Sequence, residues 1–490
     1  MKYKIGIDIG TTNIKAVLYD ENLNRVSMSS EGLRTYHDQM GYAEQNPEEV
    51  LNAFYRVLDE ILLSMSGQKK EVELLSFSSA MHSLILMGKD HELLTRSIIW
   101  SDNRAVNEVE EFKRNEDWLK HYRNTGTPIH PMSPFFKLLW IGKNTGLLEK
   151  TGKIMGIKEY ILMHLTGECV MDYSMASATG MLNIHNLAWD EEALRHAGIT
   201  EALLPALKDV TEKVSVENRS ILEKPGLSSE LEIMLGASDG CLANLGSQAL
   251  HRGETTVTIG TSGAVRMTVD APVLDDAGRT FCYYLMKDKW VIGGAVNNGG
   301  NVLAWLGRTI HEEEETIYKD LENRVKDIPK GSEGLLFIPY LHGERAPHWD
   351  GRLNASFIGL SAFHGRDHLI RSAVEGMVFN LREVWEMLTA LSGDSTTIIA
   401  SGGFLESAVW TGILSDVFGR DIEISDAADS SCLGAVLLDH EPEGLKAQGH
   451  RETMRCTNEN HEEYQLYYRK YIWYAKKMAA LQKEAREMFE

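Results

Sequence analysis

Ile5-Gly6-Ile7-Asp8-Ile9-Gly10-Thr11-Thr12 opens the chain with an alternating apolar run that ends in a glycine-hydroxyl turn. Ile5, Ile7 and Ile9 keep the period of a buried strand, and Asp8 stands just before the turn. The Gly-Thr-Thr turn offers successive backbone N–H groups and two hydroxyls to an anion, and a nearby carboxylate can hold a hydrated cation. Gly10 lets the backbone approach a phosphate that a side chain would keep away. Val17-Leu18-Tyr19 predicts a second strand, with Asp20-Glu21-Asn22 as a polar turn. An ordinary N-terminal hairpin has the same pattern, so this segment alone leaves both readings open.

The pattern recurs. Thr256-Val257-Thr258-Ile259-Gly260-Thr261-Ser262-Gly263-Ala264 is another alternating strand running into a hydroxyl-rich glycine turn, with a further strand expected over 265–269. Two such hairpins half a chain apart suggest a duplicated α/β fold with one phosphate loop per half. Facing each other across a cleft, the two turns would grip a polyphosphate from both sides.

The 490 residues are most economically two domains, placed at 1–245 and 246–490. A hydrophobic share of 43% and a charged share of 25% are those of an ordinary globular protein. No apolar run approaches a membrane span, and no signal-peptide core precedes the first strand, so a cytoplasmic protein with no membrane partner is expected. The five cysteines form no C-x-x-C pair, which indicates neither a disulfide framework nor a cysteine zinc site. A net charge of −21 argues against nucleic acid, whose affinity rests on cationic phosphate contacts. It leaves room for a small anionic substrate, because local cations and amides outweigh a distant field. The 17 histidines show no H-E-x-x-H or comparable ligand spacing.

Asn46-Pro47 predicts a helix start, and Val50, Phe54, Val57, Leu58, Ile61 and Leu62 continue it at helical spacing. Residues 74–78 and 83–87 suggest paired strands around Ser79-Ala80-Met81-His82. The chain from about 108 to 233 is more helical, and a strand over 232–235 delivers Gly236-Ala237-Ser238-Asp239-Gly240. Further on come a strand at 290–292, a glycine-rich run from Gly293 to Gly300, and a charge run at Glu312 to Glu315, expected on a solvated helix face. A helix carrying Val374, Met377 and Leu381 should stop at Gly393. A strand over 397–400 leads into Ser401-Gly402-Gly403, and 462–488 predicts a terminal helix.

Asp239 has two readings that its spacing does not separate. It is either a helix N-cap or a carboxylate set among small residues to accept a proton from an attacking hydroxyl. Gly402-Gly403 would permit a flat nucleobase or ribose against the backbone. A Walker loop is absent, and no G-x-G-x-x-G follows a strand.

These pieces resemble the FGGY family of carbohydrate kinases within the actin-like ATPase superfamily. Met132-Ser133-Pro134-Phe135-Phe136-Lys137-Leu138-Leu139-Trp140-Ile141 fits one family signature. The stretch from Ala355-Ser356-Phe357 to Ser372-Ala373-Val374-Glu375 fits the second, and the resemblance runs from Met1 to about Gly434. It implies two actin-like (ribonuclease H-like) domains flanking a central catalytic cleft. It also implies ATP and Mg²⁺, with Asp8 positioning the metal through water. Thr11, Thr12, Asn13 and Lys15 would surround the terminal phosphates, with Thr261 opposing them. Gly300, Gly402, Gly403 and Ser407 would hold the nucleotide, although glycerol kinases carry Asn at the position of Ser407. Asp239 would be the general base and a substrate contact. Met81-His82 matches the sugar-contacting pair of xylulose kinases and departs from the Arg-Glu pair of glycerol kinases. Ser78-Ser79-Ala80-Met81-His82-Ser83, Trp100-Ser101-Asp102-Asn103-Arg104, Gly126-Thr127-Pro128-Ile129-His130-Pro131-Met132, Asn297-Asn298-Gly299-Gly300 and Gly343-Glu344-Arg345-Ala346-Pro347 resemble gluconate kinases within the family.

The implied reaction is ATP-dependent phosphorylation of D-gluconate at the 6-hydroxyl. A xylulose or other pentulose kinase and a non-enzymatic actin-like ATP-binding protein are the alternatives. His82, His130, Arg104 and Arg345 are candidates to meet the substrate carboxylate. Family members often form homodimers, a state on which these residues are silent.

Overall fold

The computed structural model describes residues 2–65, 71–310, 314–393, 395–425, 429–440 and 452–489. The chain divides into two compact units, one of residues 1–250, 269–291 and 429–447, the other of residues 251–268, 292–428 and 448–490.

In the first unit β1 (Lys2–Ile9) and β2 (Asn13–Tyr19) form the expected hairpin, with β3 (Arg25–Gly32) antiparallel beside β2. The helix Pro47–Ser64 starts where the Asn46 side chain accepts the Glu48 N–H, and Pro47 takes a position with no amide to satisfy. Its buried face of Val50, Phe54, Val57, Leu58 and Ile61 shares one core with Ile5, Ile7 and Ile9. Burying each such side chain contributes roughly 1.5–3 kcal/mol. β4 (Glu71–Ser79) lies parallel to β1, β6 (Leu227–Ser238) lies parallel to β4, and β5 (Lys213–Ser215) closes the edge. The sheet order is β5-β6-β4-β1-β2-β3. A second core of this unit gathers Phe112, Phe135, Phe136 and Leu194.

One expectation needs correction. The short strand Ile85–Gly88 does not pair with β4; it pairs with Thr151–Met155. Both edges of β4 are taken by parallel neighbours, so no edge is left for a hairpin partner.

In the second unit β7 (Glu254–Ile259) and β8 (Gly263–Val269) form the second hairpin. β9 (Thr397–Ser401) lies parallel to β7, β10 (Ile422–Ile424) lies parallel to β9, and β11 (Glu452–Met454) runs antiparallel to β10. The succession β8-β7-β9-β10 repeats the plan of β2-β1-β4-β6, which makes the duplication read from the two turns visible in the pairings. The helix Arg366–Ser392 ends at Gly393 as expected, and the terminal helix Asn458–Phe489 begins earlier than its apolar pattern suggests. The strand expected at 290–292 is the middle of Lys289–Val296. The charged side chains of Glu312 to Glu315 lie outside the described residues. Among the described residues no helix is long and apolar enough to cross a membrane.

The helix Ser430–Leu437 returns from far along the sequence to pack on β1 and on the helix Asp239–Gly246. The two helices touch backbone to backbone. A Cβ at Gly434 would lie 2.0 Å from the Leu242 carbonyl oxygen, and one at Gly246 would lie 1.8 Å from that of Ser430. Gly434→Ala must therefore push main chain against main chain, and it should cost about 1–3 kcal/mol of stability. Urea unfolding measures this; an unchanged midpoint contradicts the close approach.

Candidate functional site

Three parallel strands bring the acceptor-side candidates of the first unit to one edge. Asp8 of β1 is opposite Ser78 of β4, and Ser78 is opposite Ala237 of β6. Two strand spacings of about 4.8 Å separate the outer rows by roughly 10 Å. The C-terminal ends of parallel strands are where open α/β sheets bind ligands. Asp8 accepts the Ser78 hydroxyl at 2.7 Å, which fixes its carboxylate across the strand gap.

The turn after β1 is braced from behind. Thr11 receives the Gln45 side-chain amide on its carbonyl at 2.7 Å and the Trp100 indole N–H on its hydroxyl at 3.3 Å. Thr12 and Asn13 are exposed. Lys15, the cross-strand neighbour of Asp8, reaches Asp429 at 3.1 Å, and Arg25 reaches the same carboxylate at 2.9 Å. Asp429 is 414 residues from Lys15, and no local pattern announces that pair.

β6 delivers Asp239 through a bulge. The register shifts between Met234 and Ala237, and Gly236 has φ +69° with Phe77 backbone only 1.7 Å from where a Cβ would stand. Ser238, not Asp239, occupies the N-cap of the helix Asp239–Gly246. The capping reading of Asp239 is thereby set aside; its half-buried carboxylate lies in the helix's first turn and accepts the Gly240 N–H at 2.7 Å. Beneath this strand end the buried ion pair Lys158–Asp172, 2.5 Å long, also engages the Leu235 carbonyl at 3.1 Å. Sequence reasoning assigned these two residues nothing.

After β4 the chain turns through Met81 and His82. His82 is buried with φ +71°, uncommon for a residue with a side chain. Its Nδ1 is 2.7 Å from the Ala178 carbonyl, an acceptor only, so Nδ1 carries the proton. His130 is the opposite tautomer, its Nδ1 accepting the Met132 N–H at 3.2 Å. Arg104 donates to Asp102 at 2.8 Å and to Glu44 at 2.6 Å, and stands 3.8 Å over the Tyr42 ring. Two carboxylates already balance its charge, which weakens it as a partner for a substrate anion.

The second unit holds a pocket of about 490 Å³. It brings together Thr261, Gly300 and Gly403 of the residues named from sequence, and adds Asn301, Arg308, His342, Phe404 and Trp410. The Gly300 N–H donates to the Gly260 carbonyl at 2.7 Å, tying the start of the helix Gly300–Thr309 to the turn after β7. Gly402 immediately precedes the pocket residue Gly403. Ser407 caps the helix Ala408–Phe418, its hydroxyl accepting the Trp410 N–H at 3.2 Å.

Glu344 organises one wall of this pocket from below. Its fully buried carboxylate accepts the Asn297 N–H at 2.6 Å, the Arg345 N–H at 2.9 Å, the Asn298 amide at 3.0 Å and the Asn380 amide at 2.9 Å. Asn298 in turn accepts the N–H of the pocket residue His342 at 3.3 Å. Burial pushes the Glu344 carboxyl up to about 7 while the donors oppose it. None of the four partners can accept a proton, so the cradle fits the ionised form. Arg345, another carboxylate candidate, spends its guanidinium on Asn297 at 2.7 Å and the Val296 carbonyl at 3.1 Å.

Family models match most of the chain, the N-terminal domain of the FGGY family of carbohydrate kinases over residues 3–246 and its C-terminal domain over residues 255–439. A gluconokinase of Bacillus subtilis is 44% identical over 457 residues, covering 91% of this chain and 88% of its own. A xylulose kinase of the same organism is 29% identical, covering 89% and 88%. A crystal structure of gluconate kinase from Lactobacillus acidophilus superposes with a TM-score of 0.93 at 35% identity over 99% of both chains. A structure described as a ligand-bound xylulose kinase from the same organism gives 0.92, also at 35%, over 99% of this chain and 100% of its own.

Glu344→Gln would set an amide NH₂ against N–H donors. It should cost about 1–3 kcal/mol, read as a lower thermal midpoint; an unchanged midpoint contradicts the four-donor cradle.

Proposed function

This chain belongs to the FGGY family of carbohydrate kinases, and within that family we propose that it transfers the terminal phosphoryl group of ATP to the 6-hydroxyl of D-gluconate. The observation that carries the substrate is the 44% identity to a gluconokinase across nine-tenths of the chain, against 29% to a xylulose kinase. The Met81-His82 turn is compatible with either sugar, so the choice does not come from that pair.

The residues divide the work. Met81, His82 and Asp239, in the acceptor half 1–245, contact the sugar. Asp239 takes the proton of the 6-hydroxyl as that oxygen bonds to phosphorus and the bond to the departing ADP oxygen breaks. Positioning and charge stabilisation supply most of the acceleration in such a transfer. Thr11, Thr12, Asn13, Lys15 and Thr261 face the phosphates through amides, hydroxyls and one ammonium. Gly300, Gly402, Gly403 and Ser407, in the half 246–490, hold the rest of the nucleotide.

A Mg²⁺ ion bound with the nucleotide would neutralise phosphate charge. Asp8 fits it: one carboxylate, oriented by Ser78, suits a hard cation that keeps waters and phosphate oxygens as its other ligands. Chemistry on ATP and an unmodified sugar acid suits a cytoplasmic enzyme.

A coupled ADP-release assay over gluconate, xylulose, ribulose, glycerol and rhamnulose tests the substrate. Gluconate should give the highest kcat/KM by at least tenfold; a higher value for xylulose overturns the assignment, and turnover indifferent to every polyol overturns the kinase reading. Asp239→Asn should lower kcat by about 10²–10⁴ with ATP binding retained; kcat within threefold of the native enzyme removes Asp239 from the role of base.

A further inference from the structure

Lys137 is fully buried on the helix Pro134–Asn144, beside the buried side chains Phe135, Phe136 and Leu138. Its ammonium donates to three main-chain carbonyls, His82 at 2.5 Å, Ile99 at 2.9 Å and Ile98 at 3.1 Å. An ammonium has three N–H groups, and each has an acceptor. Burying a cation without a bonded carboxylate is costly, and burial pushes Lys137 down to about 7 while Asp102 pulls upward.

The segments that this cation joins give the cost a purpose. One is the turn of positive φ at His82. The other, Ile98–Ile99, pairs through Ile98 with Leu84, two residues beyond that turn, at 2.9 and 3.0 Å. A point charge with three donors can meet carbonyls from two directions, whereas the planar fork of an arginine cannot reproduce that geometry. An apolar residue would take a charged donor from all three carbonyls at once; Ile98 and Ile99 would keep the N–H groups of Leu84 and Asp102, so what is lost is the common tie between the segments.

We propose that Lys137 is the positioning residue of the acceptor site, holding the Met81-His82 turn in the conformation that receives the sugar. The proposal rests on Met81 and His82 being acceptor contacts. It makes Lys137 a determinant of sugar affinity although its side chain is sealed from solvent and touches no substrate.

The test compares K137M, K137A and H82A with the native enzyme, measuring KM for gluconate and for ATP separately. K137M should raise the gluconate KM at least tenfold and change the ATP KM by less than threefold. K137A should show the same split, and n-propylammonium, which restores the missing carbons and donors, should recover at least a third of the lost affinity. A K137M with unchanged gluconate KM, or with both constants raised alike, assigns the lysine to the fold and overturns the proposal. So does a K137M that fails to fold while K137A gains nothing from the amine. H82A separates the two ideas: an unchanged gluconate KM there sinks the acceptor reading and the proposal with it, whereas a raised one beside a neutral K137M sinks the lysine's role alone.

Discussion

The parallel register of β1, β4 and β6 is the constraint from which the candidate acceptor site follows. Asp8, Ser78 and Ala237 share one row, so the next residues of each strand emerge at the same sheet edge. A slip of one residue between β1 and β4 would turn Asp8 to the opposite face and break its bond to Ser78, and one between β4 and β6 would carry the end of β6 out of the row. The apolar face of Ile5, Ile7 and Ile9 prevents the first slip, because it would expose all three. Core packing and site geometry are thus two consequences of one register.

The second unit uses the same plan for another purpose. In the first unit β4 ends at Ser79 and the chain continues into Met81-His82; in the second β9 ends at Ser401 and continues into Gly402-Gly403. Equivalent places in the repeated plan carry side chains in one half and bare backbone in the other. Side chains suit discrimination among polyols, and bare backbone suits a flat base or ribose. The pocket beside Gly403 has room for such a group and is walled by Phe404 and Trp410.

Much of this was legible in the chain itself. Alternation gave β1 and β7, the glycine-hydroxyl turns gave the hairpins, and Asn46-Pro47 gave the helix start. The pairing around His82 was misjudged because the period of a strand says nothing about which edges of its neighbour are already occupied. What stayed hidden was mostly supporting charge. Asp429 meets Lys15 from 414 residues away, and Glu344 gathers donors from three segments. Lys137 left one trace, a lysine inside an otherwise apolar helical run, which signals a buried cation but not the carbonyls it serves.

The central claim is that a carboxylate at the end of β6 faces the acceptor alcohol. A crystal structure of the enzyme with gluconate and a non-hydrolysable ATP analogue tests it most directly. The account predicts the 6-hydroxyl oxygen within about 3 Å of an Asp239 carboxylate oxygen, with the sugar against Met81 and His82. Gluconate bound with that hydroxyl turned away from Asp239, and toward another base, would contradict it.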